Sequence, residues 1–497
     1  MLKQTGVAMR GVCLSILLLC ACAAPAQAID EDRVLLLWNS ESAESTAVRN
    51  AYLMERPGVR ELDFAAANLV PGELTRAQYN NRIRTPLMAY LAGMTETGAP
   101  LAEHIVAIAT TRGLPARISG PGEFTLGTER ASIESEIALI HQNLDGTGQD
   151  DLPLRYDGII DNPYHTVTGT PITAWSRSGI TSPVALDYIS FGGGDAAWGS
   201  SAMTPGHLYL VCRLDAGLGD TTTALEETIA LIERSNDPAQ MQVSFECVQA
   251  LLDEFPASGG QLDDDGAPPT FPNDEDFERA SSLLSTLGVT TQHDETFDFI
   301  TGSELASSLP LLVLGTYGEN HDVGGAGENP PGTGTYLQTY TPHPAGVMVS
   351  YESFSGNCLV NGNQRQGQAC ATDWIARGGS FVIPTVSEPF TFSIADLEHF
   401  VRGFYVNGMT FAEAAYASMP GLSWANVPVG DPLARVSIVA AGHPADFDSS
   451  GGVDGTDLAI LLAAWGSPGG DVTGDGTTNG ADLAVLLAAW GPVSACP

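Results

Sequence analysis

Two runs of oxygen-bearing side chains, 25 residues apart, carry the most specific chemistry in this 497-residue chain. The first run is Asp446, Asp448, Ser450, Gly452, Asp454 and Asp457, and the second is Asp471, Thr473, Asp475, Thr477, Asn479 and Asp482. In both, side-chain oxygens fall at positions 1, 3, 5, 9 and 12 of a loop, Gly451 or Gly476 stands at position 6, and position 7 offers only its backbone carbonyl. Ca2+ is a hard cation that takes about six to eight oxygens, and this spacing wraps one loop around one ion while the glycine allows the sharp turn. Two copies in register predict two Ca2+ sites.

Each loop is followed by a helical signal. Leu458, Leu461, Leu462 and Trp465 recur at i, i+3, i+4 and i+7, and Leu483, Leu486, Leu487 and Trp490 repeat them. That spacing predicts one apolar helix face after each loop, ended by Gly466 and Gly491. Only the four residues Ser467 to Gly470 separate the first helix from the second loop, so the helix that enters an ordinary EF-hand is missing. The tandem over 445–491 resembles the type I dockerin, a small all-α module that folds on calcium. The resemblance implies a cohesin-like receptor protein as partner, with recognition residues at loop positions 10 and 11, here Gly455-Thr456 and Gly480-Ala481.

The front of the chain reads as an export leader. Lys3 and Arg10 precede the apolar run VCLSILLLCACAA, and Ala26-Gln27-Ala28 supplies small residues at the −3 and −1 positions of a cleavage site. A signal peptide over 1–28 makes Ile29 the mature N-terminus and the protein secreted or on the cell surface. The alternative is a lipid anchor on Cys22 of Leu19-Cys20-Ala21-Cys22. No later stretch is long and apolar enough to span a bilayer. Export permits disulfides, and Cys358 and Cys370 are spaced to staple the polar segment between them. The formal charge is −38, or −40 once Lys3 and Arg10 leave with the leader. This acidity argues against nucleic acid and anionic membrane surfaces as partners.

Between leader and tail, short apolar runs alternate with amphipathic segments. Strand-like runs are Arg33–Asn39, Leu62–Val70, Ile105–Thr110, Leu208–Arg213, Leu311–Gly315, Val347–Tyr351 and Phe381–Pro384. Helical patterns cover Ser42–Arg56, Arg76–Met94, Thr221–Arg234 and Asp274–Leu287. The alternation predicts an α/β domain over 29–435 with a largely parallel sheet flanked by helices. An insertion rich in Gly, Ser, Thr and Pro spans about 161–203, and 436–444 reads as a linker to the tail.

Several phrases resemble an uncharacterised family of secreted bacterial proteins. They are Val34–Asn39 with Ser45 and Tyr52, IVAIATTRGLPARI, Ala131–Leu139, Asn162-Pro163-Tyr164, Arg213-Leu214-Asp215, Ser423-Trp424 and Val429–Leu433. That family implies no activity.

The half over 300–435 also resembles the caspase–gingipain superfamily of cysteine peptidases. The matching order is LPLLVLG, a Gly-rich loop, GVMVSYE, Ser353-Phe354-Ser355-Gly356, a helix, then GGSFVIPT. Such enzymes place a histidine after one strand and a cysteine after the next, because a thiol nucleophile needs a base within hydrogen-bonding reach. Here the histidine position falls on Tyr317, before Gly318, and the cysteine position on Ser353. The resemblance therefore implies a peptidase scaffold without cysteine-peptidase chemistry, its sheet-edge cleft left for a carbohydrate or peptide ligand.

Two hydrolase readings stand beside it. A serine-type enzyme would use Ser353 or Ser355 with His321 as base, and Asp322 or Glu352 nearby. A polysaccharide hydrolase would need two carboxylates across a cleft, drawn from Glu319, Glu328, Glu352 and Glu388. Glu388-Pro389-Phe390, after another strand, would add to the rim of that cleft.

Overall fold

The computed structural model describes residues 29–119, 131–141, 160–162, 164–166, 185–186, 201–202, 208–217, 221–254, 276–296, 299–318, 335–362, 368–389, 394–439, 442, 444–448, 450 and 452–492. The leader with Cys22, the loop holding Glu319, His321, Asp322 and Glu328, and most of the 161–203 insertion lie outside the described residues.

Strands form where the chain is apolar enough to be covered on both faces, or at a sheet edge, where only part of the strand is covered. In the first half these are β1 (Val34–Trp38), β2 (Arg60–Asp63), β3 (Ala107–Thr111) and β4 (Leu210–Leu214). They pair in parallel in the order β2-β1-β3-β4. Every residue of β3 and β4 is buried, as a parallel sheet with both faces covered requires. The second half repeats the plan with β5 (Gln249–Asp253), β6 (Thr290–Asp294), β7 (Leu311–Thr316), β8 (Pro342–Ser350) and β9 (Phe381–Val382). Their order is β6-β5-β7-β8-β9, again all parallel. Both halves therefore have a topological switch, between β1 and β3 and between β5 and β7, and open α/β sheets hold ligands beyond the carboxyl ends of their strands at such points.

Val429 joins the halves. It bridges Arg213 of β4 on one side and Val382 of β9 on the other. Asp431, two residues on, is fully buried and accepts from the Tyr52 hydroxyl at 3.0 Å, the Arg56 guanidinium at 3.0 Å and the Asn236 amide at 3.0 Å. A buried charge that loses such partners is costly, so these bonds fix the join.

Helices supply the flanks. α1 (Ala43–Glu55) begins where the Ser42 hydroxyl accepts the Ser45 N–H, and it packs against α2 (Thr221–Asn236). α3 (Asp276–Thr286) packs against the short α4 (Leu397–Val401), which in turn contacts α5 (Phe411–Ser418). A capping box between Thr410 and Glu413 starts α5. No helix among the described residues is long and apolar enough to cross a membrane.

Three sequence expectations need correction. The strand expected over Leu62–Val70 is instead Arg60–Asp63, because the later apolar residues Phe64 and Leu69 are buried from turns that carry no ladder. Ser437–Ile438, inside the 436–444 stretch expected as a linker, pairs in parallel with Gln242–Val243. The 161–203 insertion does not leave the body at once: Asp161 pairs with Gly421, and the Asn162 amide donates to the carbonyls of Tyr416 and Met419 at 2.7 and 2.8 Å.

The tail has its own small core of Ala445, Val453, Leu461 and Leu486. Its helices are α6 (Gly455–Ala463) and α7 (Gly480–Ala488), separated by a single 3-10 turn at Pro468–Gly470, so an entering helix is indeed missing before the second loop. Gly466 and Gly491 follow the helices with φ of 79° and 125°, a region that suits glycine.

Candidate functional sites

Tyr317 and Ser353, which follow the neighbouring parallel strands β7 and β8, are brought to one sheet edge. Tyr317 follows β7, its N–H donating to the Asp253 carbonyl of β5 at 3.0 Å, which sets it beside the β5/β7 switch. Its ring is nearly fully buried, with centroids 4.8 Å from Tyr351 and 5.9 Å from Phe277. The phenol thus belongs to the packing beneath the edge.

Gly318 comes next with φ of +55°, and a Cβ there would lie 2.3 Å from Glu352 Cδ. Glycine is required twice over, by conformation and by the carboxylate pressed against it. Glu352, just past β8, is completely buried. One carboxylate oxygen accepts from the Tyr336 hydroxyl at 2.7 Å and the Ser350 hydroxyl at 3.3 Å, and the other from the Ala369 N–H at 3.3 Å. Burial first, then the Glu352 charge, pushes the Tyr336 phenol well above its ordinary range, so it stays a hydrogen-bond donor. A carboxylate this enclosed braces the edge of the sheet. Glu388, the other described candidate for a glycosidase pair, is half-buried.

Ser353 is half-buried on the turn after β8. Phe354 follows it at φ +61°, a strained conformation for a bulky side chain. Ser355 is fully buried and its hydroxyl accepts the Thr385 N–H at 3.2 Å. Cys358 is bridged to Cys370, as their spacing anticipated, so it offers no thiol. Cys212 is a free, buried cysteine whose thiol burial pushes well up.

Sequence reasoning missed the polar interior of the first half. Arg213 is wholly buried, donating to Glu134 at 2.6 Å and to the Pro115 carbonyl at 3.2 Å, with Asp215 at 3.4 Å. Arg112 reaches Asp215 at 2.7 Å, and the Thr110 hydroxyl donates to Glu134 at 2.7 Å. The phrases IVAIATTRGLPARI, Ala131–Leu139 and Arg213-Leu214-Asp215 therefore meet in one hydrogen-bonded cluster under the join of the sheets. Their signal in the sequence was a charged residue inside an otherwise apolar strand.

At the tail, each acidic loop folds its oxygens inward. Ligand atoms of Asp446, Asp448 and Asp457 lie within 4.8 Å of one another, as do those of Asp471, Asp475 and Asp482. Asp454 and Asn479, at loop position 9, also cap α6 and α7, in boxes completed by Asp457 and Asp482 at position 12. Asp471 accepts N–H groups from Gly474 at 2.8 Å and Gly476 at 2.6 Å, and Asp446 accepts that of Ser450 at 2.9 Å. Burial works against the charge of Asp457, but the N–H groups of Asp454, Asp448 and Phe447 outweigh it and hold the carboxyl below its ordinary range. Asp482 is held low in the same way by Asn479, Thr473 and Val472. The all-oxygen donor sets suit a hard divalent cation.

The loops are also exchanged reciprocally. Val453, at position 8 of the first loop, pairs with Gly491 beyond α7. Thr478, its counterpart, bonds Gly466 and Ser467 beyond α6 at 2.9 and 2.7 Å. The apolar stripe read from the sequence divides in two. Leu461 and Leu486 are buried, whereas Leu462, Trp465, Leu487 and Trp490 are 52, 50, 53 and 49 % exposed.

A third cluster joins His165, Asp396 and His399, whose ligand atoms also lie within 4.8 Å of one another. Burial, the dominant effect, pushes the His165 imidazolium down to about 4 against the pull of Asp396, so the ring is neutral near pH 7.

No protein-family model matches the chain, and no curated protein matches it. Among solved structures, the chain aligns with the Arg-specific cysteine proteinase gingipain R at 10 % identity and a TM-score of 0.40, covering 82 % of this chain and 78 % of that one. It aligns with the complex of the pro- and mature domains of the Porphyromonas gingivalis enzyme at 9 % identity and a TM-score of 0.37, over 81 % and 79 % of the respective chains.

Proposed function

We propose that this is an exported protein whose 445–491 module holds two Ca2+ ions and docks on a cohesin-like receptor, while its α/β body presents a sheet edge without cysteine-peptidase chemistry. The observation that carries the reading is the pair of repeated loops, each gathering three carboxylates around one point. Asp446, Asp448, Ser450, Asp454 and Asp457 would hold one ion with the Gly452 carbonyl. Asp471, Thr473, Asp475, Asn479 and Asp482 would hold the other with that of Thr477. Carboxylates this close repel one another, and a divalent cation between them turns that repulsion into cohesion of the loop.

Docking is supported by the exposed half of the helix stripe. Leu462 with Trp465 and Leu487 with Trp490 leave matching apolar surface exposed at the far end of each helix from Gly455-Thr456 and Gly480-Ala481. Large aromatics left half-exposed on a small module are the residue type that anchors protein interfaces.

Tyr317 and Ser353 supply neither imidazole nor thiolate, and Cys358 is held in a disulfide. The body is therefore read as a binding domain for a peptide or carbohydrate. One observation favours the serine-hydrolase alternative: Ser353 is partly accessible at a strand-to-turn corner before the strained Phe354, a setting that nucleophilic serines use.

Limited proteolysis of the full chain with calcium or chelator tests the calcium-docking reading. The tail should resist cleavage only with calcium, and the calcium form alone should bind an immobilised cohesin panel. Identical cleavage in both conditions would refute it. An organophosphonate adduct mapping to Ser353 would move the body to the hydrolase class.

A further inference from the structure

We propose that His165, Asp396 and His399 form a binding site for a divalent transition-metal ion of the Zn2+ type, separate from the two calcium loops. Three polar atoms converge there: His165 Nε2, Asp396 Oδ2 and His399 Nδ1 are all buried and none has a hydrogen-bond partner. Asp396 is wholly enclosed, and His399 keeps only 18 % of its side chain exposed.

The bland explanation, a hydrogen-bonded Asp–His pair, does not account for them. His399 Nδ1 lies 2.6 Å from Asp396 Oδ2, but the two are not aligned as donor and acceptor. The hydrogen bond that Asp396 does make uses its other oxygen, which accepts the His399 N–H at 2.9 Å and caps α4. Arg279, the cation facing this carboxylate, stands 3.7 Å from Oδ2. The Glu398 carboxylate is 3.7 Å from His399 Nδ1 and is itself paired with Arg402. The pocket thus gathers three orphan polar atoms, and one cation satisfies all three together.

The site is also held in advance of any ligand. The His165 and Asp396 segments hang from consecutive carbonyls in the last turn of α5: the Thr166 N–H donates to Ala417 at 2.9 Å and the Asp396 N–H to Ser418 at 2.8 Å. Asn162 is tied to the same turn through its amide. Asp396 and His399, three residues apart at the start of α4, share one helix face. Thr166, next to His165, takes φ +68°, unusual for a β-branched residue.

The donor set selects the metal. Two imidazole nitrogens and one carboxylate oxygen suit zinc and are poorer ligands for Ca2+, which prefers oxygen alone. Three protein ligands leave a fourth position for water or a bound ligand, the arrangement of an open zinc site. Ferrous iron takes the same donors, but the chain carries a disulfide and so matures in oxidising surroundings, which favours the redox-inert ion.

The test uses the full chain, stripped of metal and returned to excess Ca2+ so that the tail loops are filled. Zn2+ is then titrated against a chromophoric chelator, and Co2+ is added to a second sample to record its visible absorption. The expected result is one Zn2+ per chain and a Co2+ spectrum of low coordination number. In His165→Ala and His399→Ala the affinity should fall by at least about 100-fold, the upper end of what loss of a supporting partner alone costs. His293→Ala, which alters the separate His293–Glu254 pair, should bind as the unaltered chain does. Circular dichroism confirms folding, and His165→Gln serves if the alanine variant proves unstable. No Zn2+ binding in excess Ca2+, or binding unchanged in the His165 and His399 variants, overturns the proposal. Equal loss in His293→Ala overturns it as well.

Discussion

Replacing Gly318 with alanine probes the brace at the sheet edge. The new Cβ would sit 2.3 Å from Glu352 Cδ, so either the carboxylate or the β7 turn must move. The left-handed backbone alone costs alanine about 1 kcal/mol. Moving Glu352 breaks its 2.7 Å bond from Tyr336, and a buried hydrogen bond to a charged group contributes about 1.5–3 kcal/mol. The combined loss is about 2.5–4 kcal/mol. Gly408→Ala is the control, because Gly408 has a similar φ of +65° but nothing within 4 Å of where a Cβ would lie, so only the backbone cost applies. Denaturant unfolding of both variants in saturating calcium measures the difference, expected at about 1.5–3 kcal/mol. Equal stabilities would refute the claim that Glu352 is locked against Gly318.

Arg213→Met should destabilise the body by about 3–5 kcal/mol, because it leaves Glu134 buried without its cation; thermal unfolding reads this directly. At His293, burial works against the charged ring, but the bond to Glu254 outweighs it and raises the pKa. The pair's contribution should therefore be complete below the unfolded value of about 6.5 and disappear as pH rises through the higher folded value, a dependence that His293→Gln should flatten in unfolding experiments. Trp465→Ala with Trp490→Ala should leave calcium binding intact while weakening receptor capture at least about tenfold, since buried aromatic anchors contribute upwards of about 2 kcal/mol each. Alkylation of the native protein followed by mass spectrometry should leave the buried Cys212 unlabelled; rapid modification would contradict its enclosure.

Parts of this architecture are legible in the sequence for a plain reason. β1, β3, β4, β7 and β8 are buried on both faces, so they appear as continuous apolar runs. β5 and β6 are not legible in this way because β5 has only three apolar residues between polar ends and β6 is wholly polar. Gln249 and Asp253 end β5 fully buried, and their side chains are satisfied by backbone groups that only the fold brings near: the Ser307 carbonyl and the Ile300 N–H. β6, TTQHD, is an edge strand only partly covered and needs no apolar face. The repeated spacing of oxygen-bearing residues in the tail was legible because all of them come from one short segment. The division of the α6 and α7 stripes into buried Leu461 and exposed Leu462 was not, since periodicity reports apolar residues and cannot say which are left for a partner. The convergence of His165 with Asp396 and His399 depends on hydrogen bonds to the end of α5, which no local pattern encodes.

Calorimetric titration of Ca2+ into the metal-free full chain addresses the central claim most directly. The account predicts two ions per chain, one in Asp446→Ala, one in Asp471→Ala and none in the double variant, with tail helicity following occupancy. Full helicity without calcium, or two ions still bound by the double variant, would contradict it.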